Sequence, residues 1–291
     1  MRSPKLVLLS SLTVAFLLFS SASGEISVPN GSATAPNLIY IFGKQDGPDP
    51  WPSFGLVRQT PLAYVLNPNG DLHGDKSPDL IFKLGSAPAV TWSYWDGTDF
   101  EIAYSEWNGS AWTAPVMLTD NAVDDLNPKI ALDMGGRPII TWWRAGSEPA
   151  VFSIRRTSGS VWEAESQVSQ AGEAARTPAI AVPPDGHPRY GYEIKSGSTR
   201  QVVVSRDNRV QPEDPPGTTP EIVATTPYTG DTNPIVETRG SRTWVTWVHS
   251  ATQVGWSELV NGAWGLPDFE PYSGPDDIEA ARFRIKNRLG P

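Results

Sequence analysis

Short apolar runs broken by turn residues fill most of the chain, and the clearest stretch is 123–144, VDDLNPKIALDMGGRPIITWWR. An acidic turn leads into a strand that opens at Pro128. A Gly135-Gly136 hairpin turns the chain, and a second strand closes on Trp142-Trp143. The same wording returns about fifty residues to either side. Pro78, Pro128, Pro178 and Pro234 each open a strand, at spacings of 50, 50 and 56 residues. Trp92, Trp142, Tyr192 and Trp247 each close the next strand, at spacings of 50, 50 and 55. Turn residues separate the two strands every time, as in Gly85-Ser86-Ala87-Pro88, Asp185-Gly186-His187-Pro188 and Arg239-Gly240-Ser241-Arg242. Tyr104-Ser105, Phe152-Ser153, Val204-Ser205 and Trp256-Ser257 come next, and then glycine turns before Trp112, Trp162 and Trp264. The long 3.6-period stretches of a helical solenoid do not occur.

Four short strands per unit predict an all-β fold, a β-propeller of four-stranded blades of about 50 residues. One period before Trp92 falls at Phe42, inside 37–42, and one period after Pro234 falls at Arg284. The segment around Arg284 begins Glu279-Ala280-Ala281-Arg282 and repeats Glu173-Ala174-Ala175-Arg176. On this pattern 280–288 forms a strand in the same sheet as 37–42. One blade is then shared between the chain ends, and the ring has five. Residues 43–77 fit a blade poorly, so a six-bladed ring is the alternative.

The first residues stand apart. Arg2 and Lys5 precede an apolar run, Leu6–Phe19, and small residues Ser21-Ala22-Ser23 come after it. The segment 1–23 reads as a signal peptide cleaved near Ser23, since a spanning helix needs roughly 20 apolar residues. Residues 24–36 read as a flexible lead-in and 37–291 as a single propeller domain. The expected location is secreted or periplasmic, with no membrane insertion. The chain has no cysteine, so neither disulfides nor a lipid-bearing thiol hold it. Its formal charge of −9 becomes −11 once Arg2 and Lys5 are removed. Such a surface argues against nucleic acid or anionic membrane and suits a neutral glycan, a cation or a basic protein, and the expected partner is a glycan or an extracellular protein.

One recurrence bears on chemistry. Asp75, Asp125 and Asp231 stand three residues before the opening proline, with Ala175 the exception. Ser77, Asn127, Thr177 and Asn233 stand one residue before it. These side chains shape the turn into the strand, or the aspartates form a partial ring near the propeller axis, and both readings stay open. The loops after the second strands carry Tyr94-Trp95-Asp96, Trp143-Arg144, Glu193-Ile194-Lys195 and His249. Trp92, Trp142 and Trp247 are expected to pack between blades. Trp95 and Trp143 exceed what the repeat requires and are either packing or platforms for a ligand. The candidate ligand face is therefore Trp95, Trp143, Arg144, His249, Asp75, Asp125 and Asp231. No catalytic residue is singled out. No cofactor is expected, with calcium the one ion the aspartates could take. The three histidines, His73, His187 and His249, lack metal-ligand spacing.

Ser105-Glu106-Trp107-Asn108-Gly109-Ser110-Ala111-Trp112 resembles the Asp-box of the sialidase-type, or BNR-repeat, propellers. Trp107 stands where that box has aspartate, and Gly159–Trp162 and Gly262–Trp264 keep only the glycine and the terminal tryptophan. The resemblance implies the propeller fold. Sialidase activity would further imply an arginine triad and an Arg-Ile-Pro motif near the start, and the nearest match is Arg284-Ile285-Lys286 at the other end. The expected function is a non-catalytic binding propeller that recognises a glycan or another extracellular ligand through one face. The alternative is a glycoside hydrolase-type enzyme using axial carboxylates.

Overall fold

A computed structural model of the chain describes residues 40–43, 62–65, 75–83, 87–157, 159–210, 214, 217–222, 231–272 and 278–288. The segments 1–23 and 24–36 lie outside the described residues, as do 37–39 and most of 43–77.

A short hairpin comes first: β1 (Tyr40–Gly43) pairs antiparallel with β2 (Leu62–Val65). Four antiparallel sheets come after it in chain order. The first holds β3 (Lys76–Phe82), β4 (Pro88–Trp95), β5 (Phe100–Glu106) and β6 (Val116–Met117). The second holds β7 (Asp125–Leu132), β8 (Pro138–Arg144), β9 (Ala150–Arg155) and β10 (Ser166–Gln167). The third holds β11 (Ala174–Ala181), β12 (Arg189–Ser196), β13 (Thr199–Asp207) and β14 (Thr218–Ile222). The fourth holds β15 (Thr232–Arg239), β16 (Arg242–Ser250), β17 (Gln253–Val260) and β18 (Ala263–Trp264), and β19 (Asp268–Pro271) also pairs with β17. The leading strands β3, β7, β11 and β15 pack side by side in that order.

Every leading strand carries the same irregularity. Ser77, Asn127, Thr177 and Asn233 have φ of 51°, 53°, 50° and 51°, in the left-handed region. Pairing with the next strand slips by one residue at each of these points. The proline immediately after has no N–H to offer the ladder, so the two residues together make a bulge that bends the strand where it enters the sheet. The residues expected to shape a turn are the hinge of this bulge.

In the second, third and fourth sheets the repeated aromatic of the second strand faces the preceding sheet, because alternate strand residues point to opposite sides. Trp142 packs with Ala89, Ile102 and Tyr104 of the first sheet, Tyr192 with Ile139 and Val151 of the second, and Trp247 with Val202 and Val204 of the third. Trp92, Trp142 and Trp247 are buried, as packing residues must be. Trp247 lies across Gly255, its partner in β17, where a side chain would collide with the ring.

The chain end departs from expectation. Residues Ile278–Arg288 form a helix, α1, and not a strand beside 37–42. Tyr40–Gly43 pairs with Leu62–Val65 instead. The residues on the C-terminal side of the shared tetrapeptide supply the reason. After Glu173–Arg176 come Thr177 in the left-handed region and Pro178, which forbid a helix. After Glu279–Arg282 come Phe283-Arg284-Ile285-Lys286, which allow one. Ala281 and Ile285 are fully buried against Trp244, Val254 and Tyr272, with Ile278 packed beside them. Lys286 and Arg284 point away from that face to Glu237 and Glu270. The helix thus covers the face of the fourth sheet opposite to Trp247.

Candidate functional site

The leading strands begin where the second strands end, as the pairing of Asp125 with Arg144 and of Ala174 with Lys195 shows. These ends, with the hairpins into the third strands, make one face of the molecule, called here the upper face. All seven candidate residues lie on it.

The aspartates serve the tryptophans first. Asp75 accepts the Trp92 indole N–H at 2.9 Å and the Trp95 backbone N–H at 3.1 Å. Asp231 accepts the Trp247 indole at 3.1 Å and lies 2.7 Å from His249 Nδ1. In the third sheet, where the position is Ala175, Glu173 substitutes and takes the Tyr192 hydroxyl at 3.4 Å. Burial pushes the Asp231 carboxyl up, and the His249 and Trp247 contacts pull it back.

Asp125 is different. Arg144 binds it from two nitrogens, Nε and Nη2, both at 2.8 Å, and Asn121 Nδ2 donates to it at 2.9 Å. With both oxygens occupied, Asp125 leaves the Trp142 indole nitrogen, which is buried, without an acceptor among the described residues. Arg144 also grips Glu165, through Nη1 at 2.6 Å and Nη2 at 2.7 Å, and its guanidinium lies 4.4 Å from the Phe152 ring centre. One nitrogen, Nη2, is thereby shared by two carboxylates. Asp125 is fully buried and the Glu165 side chain is 35% exposed. Burial pushes the Asp125 carboxyl up while Arg144 pulls it back. Burial also opposes the charge on Arg144, but hydrogen bonds to Asp125 and Glu165 outweigh it and hold the group above its ordinary value.

The aromatic candidates are less open. Trp143 is half-buried against the core between the second and third sheets, with Arg176 5.1 Å from its ring centre. Trp95 meets Phe100 edge-on at 5.0 Å, and His249 lies 4.5 Å from the Phe269 ring. Six of the seven candidates therefore come together in pairs, in the first, second and fourth sheets: Asp75 with Trp95, Asp125 with Arg144, Asp231 with His249. Sequence reading missed Asn121 and Glu165, which no repeat position marks. No helix among the described residues is long and apolar enough to cross a membrane.

No family model matches the chain, and no curated protein matches it. Solved structures do. A Hadza microbial sialidase is similar over 66% of the chain, at 11% identity and a TM-score of 0.51. A Trypanosoma rangeli sialidase is similar over 69% of the chain, at 12% identity and a TM-score of 0.50. The chain has a sialidase-like β-propeller fold. Its sheets are the blades. It spans 46% and 39% of the length of those two sialidases. A GH43 endo-arabinanase from Bacillus licheniformis is similar over 68% of the chain, at 14% identity and a TM-score of 0.44. The two sialidases are named as enzymes. The expectation of a non-catalytic binding propeller is corrected on that finding, which favours the hydrolase alternative. At such identity the likeness establishes the fold and no activity.

Proposed function

We propose that the chain is a glycoside hydrolase-type enzyme acting on neutral glycans, with the Asp125–Arg144–Glu165 cluster as its acid–base centre. One observation carries this reading. Asp125 Oδ2 and Glu165 Oε2 lie 2.8 and 2.7 Å from the same Arg144 nitrogen. The two oxygens are therefore at most 5.5 Å apart, which leaves no room for the roughly 6.5–9.5 Å of inverting hydrolases and favours the retaining arrangement. One guanidinium cannot neutralise two carboxylates, so the cluster keeps a negative charge. Asp125, the member that burial pushes up, is the one that takes a proton, and the more exposed Glu165 is the one a sugar meets first. Arg144 covers Asp125 in this state, so proton delivery requires the guanidinium to swing aside.

The neutral substrate is inferred from where the arginines are. A sugar bearing a carboxylate needs cations free to clamp it. Arg144 is held by two carboxylates, Arg176 lies over Trp143, and Arg200 pairs with Glu193. The formal charge of −9 works in the same direction.

The test is a hydrolysis screen of the purified protein on neutral and acidic oligosaccharides and aryl glycosides, with product anomers monitored by NMR. Activity on a neutral substrate with retained configuration is expected. Asp125→Asn and Glu165→Gln should each lower kcat/KM by about 100-fold or more. Hydrolysis of nothing in the panel, or full activity in both variants, would overturn the proposal.

A further inference from the structure

A second group of carboxylates lies on the upper face of the first blade. Asp96 and Asp99 begin and end the hairpin between β4 and β5, and Glu101 is the second residue of β5. A ligand oxygen from each lies within 4.8 Å of the others. Asp99 and Glu101 are buried, at 8% and 2% exposure, and the described ion pairs include neither. Like charges held this close and out of water are costly unless something positive joins them.

The hydrogen bonds present do not satisfy the group. Glu101 accepts the Asn121 backbone N–H at 2.6 Å, and Asn121 Nδ2 lies 3.5 Å from its other oxygen. The Thr98 hydroxyl lies 2.8 Å from Asp96 Oδ1 and 2.9 Å from Asp99 Oδ1, with one proton between them. Asp99 Oδ2 is closed off from solvent and has no donor among the described residues. Buried polar atoms almost always have partners, and an orphaned carboxylate oxygen inside an acidic cluster points to a cation. Nor does the fold require a carboxylate at Glu101. Strand register aligns Glu101 with Ala150, Gln201 and Gln253 in the other blades.

We propose that Asp96, Asp99 and Glu101 bind a calcium ion. All the donors are hard oxygens, close enough for the three to reach one ion at calcium–oxygen distances of about 2.3–2.6 Å. Calcium takes six to eight such ligands in flexible geometry, so the Thr98 hydroxyl and water complete the shell, whereas magnesium demands a tighter octahedron. None of the recurrent aspartates Asp75, Asp125 and Asp231 belongs to this group. The ion would also order the junction of the first two blades, because Asn121 joins Glu101 to Asp125.

The test uses the full chain after chelator treatment. Terbium luminescence, sensitised by Trp95 beside Asp96, and calorimetric titration with calcium chloride should both show one saturable site. Calcium should displace terbium, and magnesium should do so poorly. Asp99→Asn should weaken calcium binding tenfold or more. Asp96→Asn should do the same while keeping the loop, because asparagine accepts the same backbone bonds from Thr98 and Asp99. Glu165→Gln, which removes a residue of the proposed hydrolytic centre, should leave calcium affinity unchanged, so the two proposals fail separately. No saturable calcium uptake, or wild-type affinity in both asparagine variants, would overturn the site.

Discussion

One substitution made at three matched positions should give two different costs. Trp92, Trp142 and Trp247 occupy the same place in their blades, and each is at most 1% exposed. Replacement by phenylalanine removes a similar volume at each, worth about 1–2 kcal/mol as lost contact and cavity. At Trp92 and Trp247 it also removes an indole hydrogen bond to a carboxylate, at 2.9 and 3.1 Å. Such bonds to charged groups contribute about 1.5–3 kcal/mol, so both variants should lose about 3–4 kcal/mol. At Trp142 the indole nitrogen has no acceptor among the described residues. Phenylalanine there removes an unsatisfied donor whose burial costs about 1–3 kcal/mol, which offsets the cavity. Trp142→Phe should therefore fall within about 1 kcal/mol of wild type, while Trp142→Ala should still cost about 3–5 kcal/mol. Urea unfolding monitored by circular dichroism measures all four, provided the m-values agree. Three phenylalanine variants alike to within about 0.5 kcal/mol would refute the argument, since the reasoning depends wholly on who accepts the indole proton.

Ile285→Ala should cost about 2–4 kcal/mol in the same assay, because Ile285 is 0% exposed against Trp244 and Tyr272. A loss under about 1 kcal/mol would mean that α1 does not cover the fourth blade. Thr177→Gly should raise stability by about 0.5–1 kcal/mol. It relieves a β-branched residue at φ 50° and removes only a local bond to the Arg176 carbonyl. Destabilisation would show that the threonine side chain does more than fill the bulge. Burial pushes the Glu106 carboxyl up, but hydrogen bonds from Lys83, Tyr104 and Arg156 outweigh it and hold the group at about 2. With the folded value below the ordinary 4.5, its contribution is whole above that pH and is lost as pH falls toward 2. Glu106→Gln should thus lower Tm at pH 6 and converge on wild type in acid, and parallel Tm curves would contradict this.

The blades were legible because the fold needs the same residues at the same places. A proline opens each leading strand, an aromatic closes the next, and both recur at a period of about fifty residues. The bulge was half legible. Its residue types were visible at Ser77, Asn127, Thr177 and Asn233, but left-handed φ in a residue before proline is a backbone fact that composition does not display. The chain end was misread for a physical reason. Glu-Ala-Ala-Arg at 173–176 and at 279–282 carries no conformation of its own, and residues outside the tetrapeptide decide between strand and helix. A period count carried into 279–285 assumed that the repeat continued, and only tertiary packing on Trp244 shows that it does not.

The site was harder to read, because a repeat search finds what every blade shares, and that is mostly what the fold consumes. Asp75 and Asp231 recur because they hold the indoles of Trp92 and Trp247, a use that neither the turn-shaping reading nor the axial-ring reading contained. Chemistry is free to develop where one blade departs from that use. In the second blade Arg144 takes Asp125 away from Trp142 and brings it beside Glu165. In the first, Glu101 stands where the others have Ala150, Gln201 and Gln253. Neither departure can be seen until strand register is known. The fourth blade aligns only after a bulge between Val248 and Ser250, and Glu165 stands at no recurrent position. Both departures also leave an electrostatic trace: a donor stranded at Trp142 in one case, an acceptor stranded at Asp99 in the other. Unsatisfied atoms beside misplaced charge therefore locate the candidate chemistry of this propeller more sharply than its recurrent motifs do.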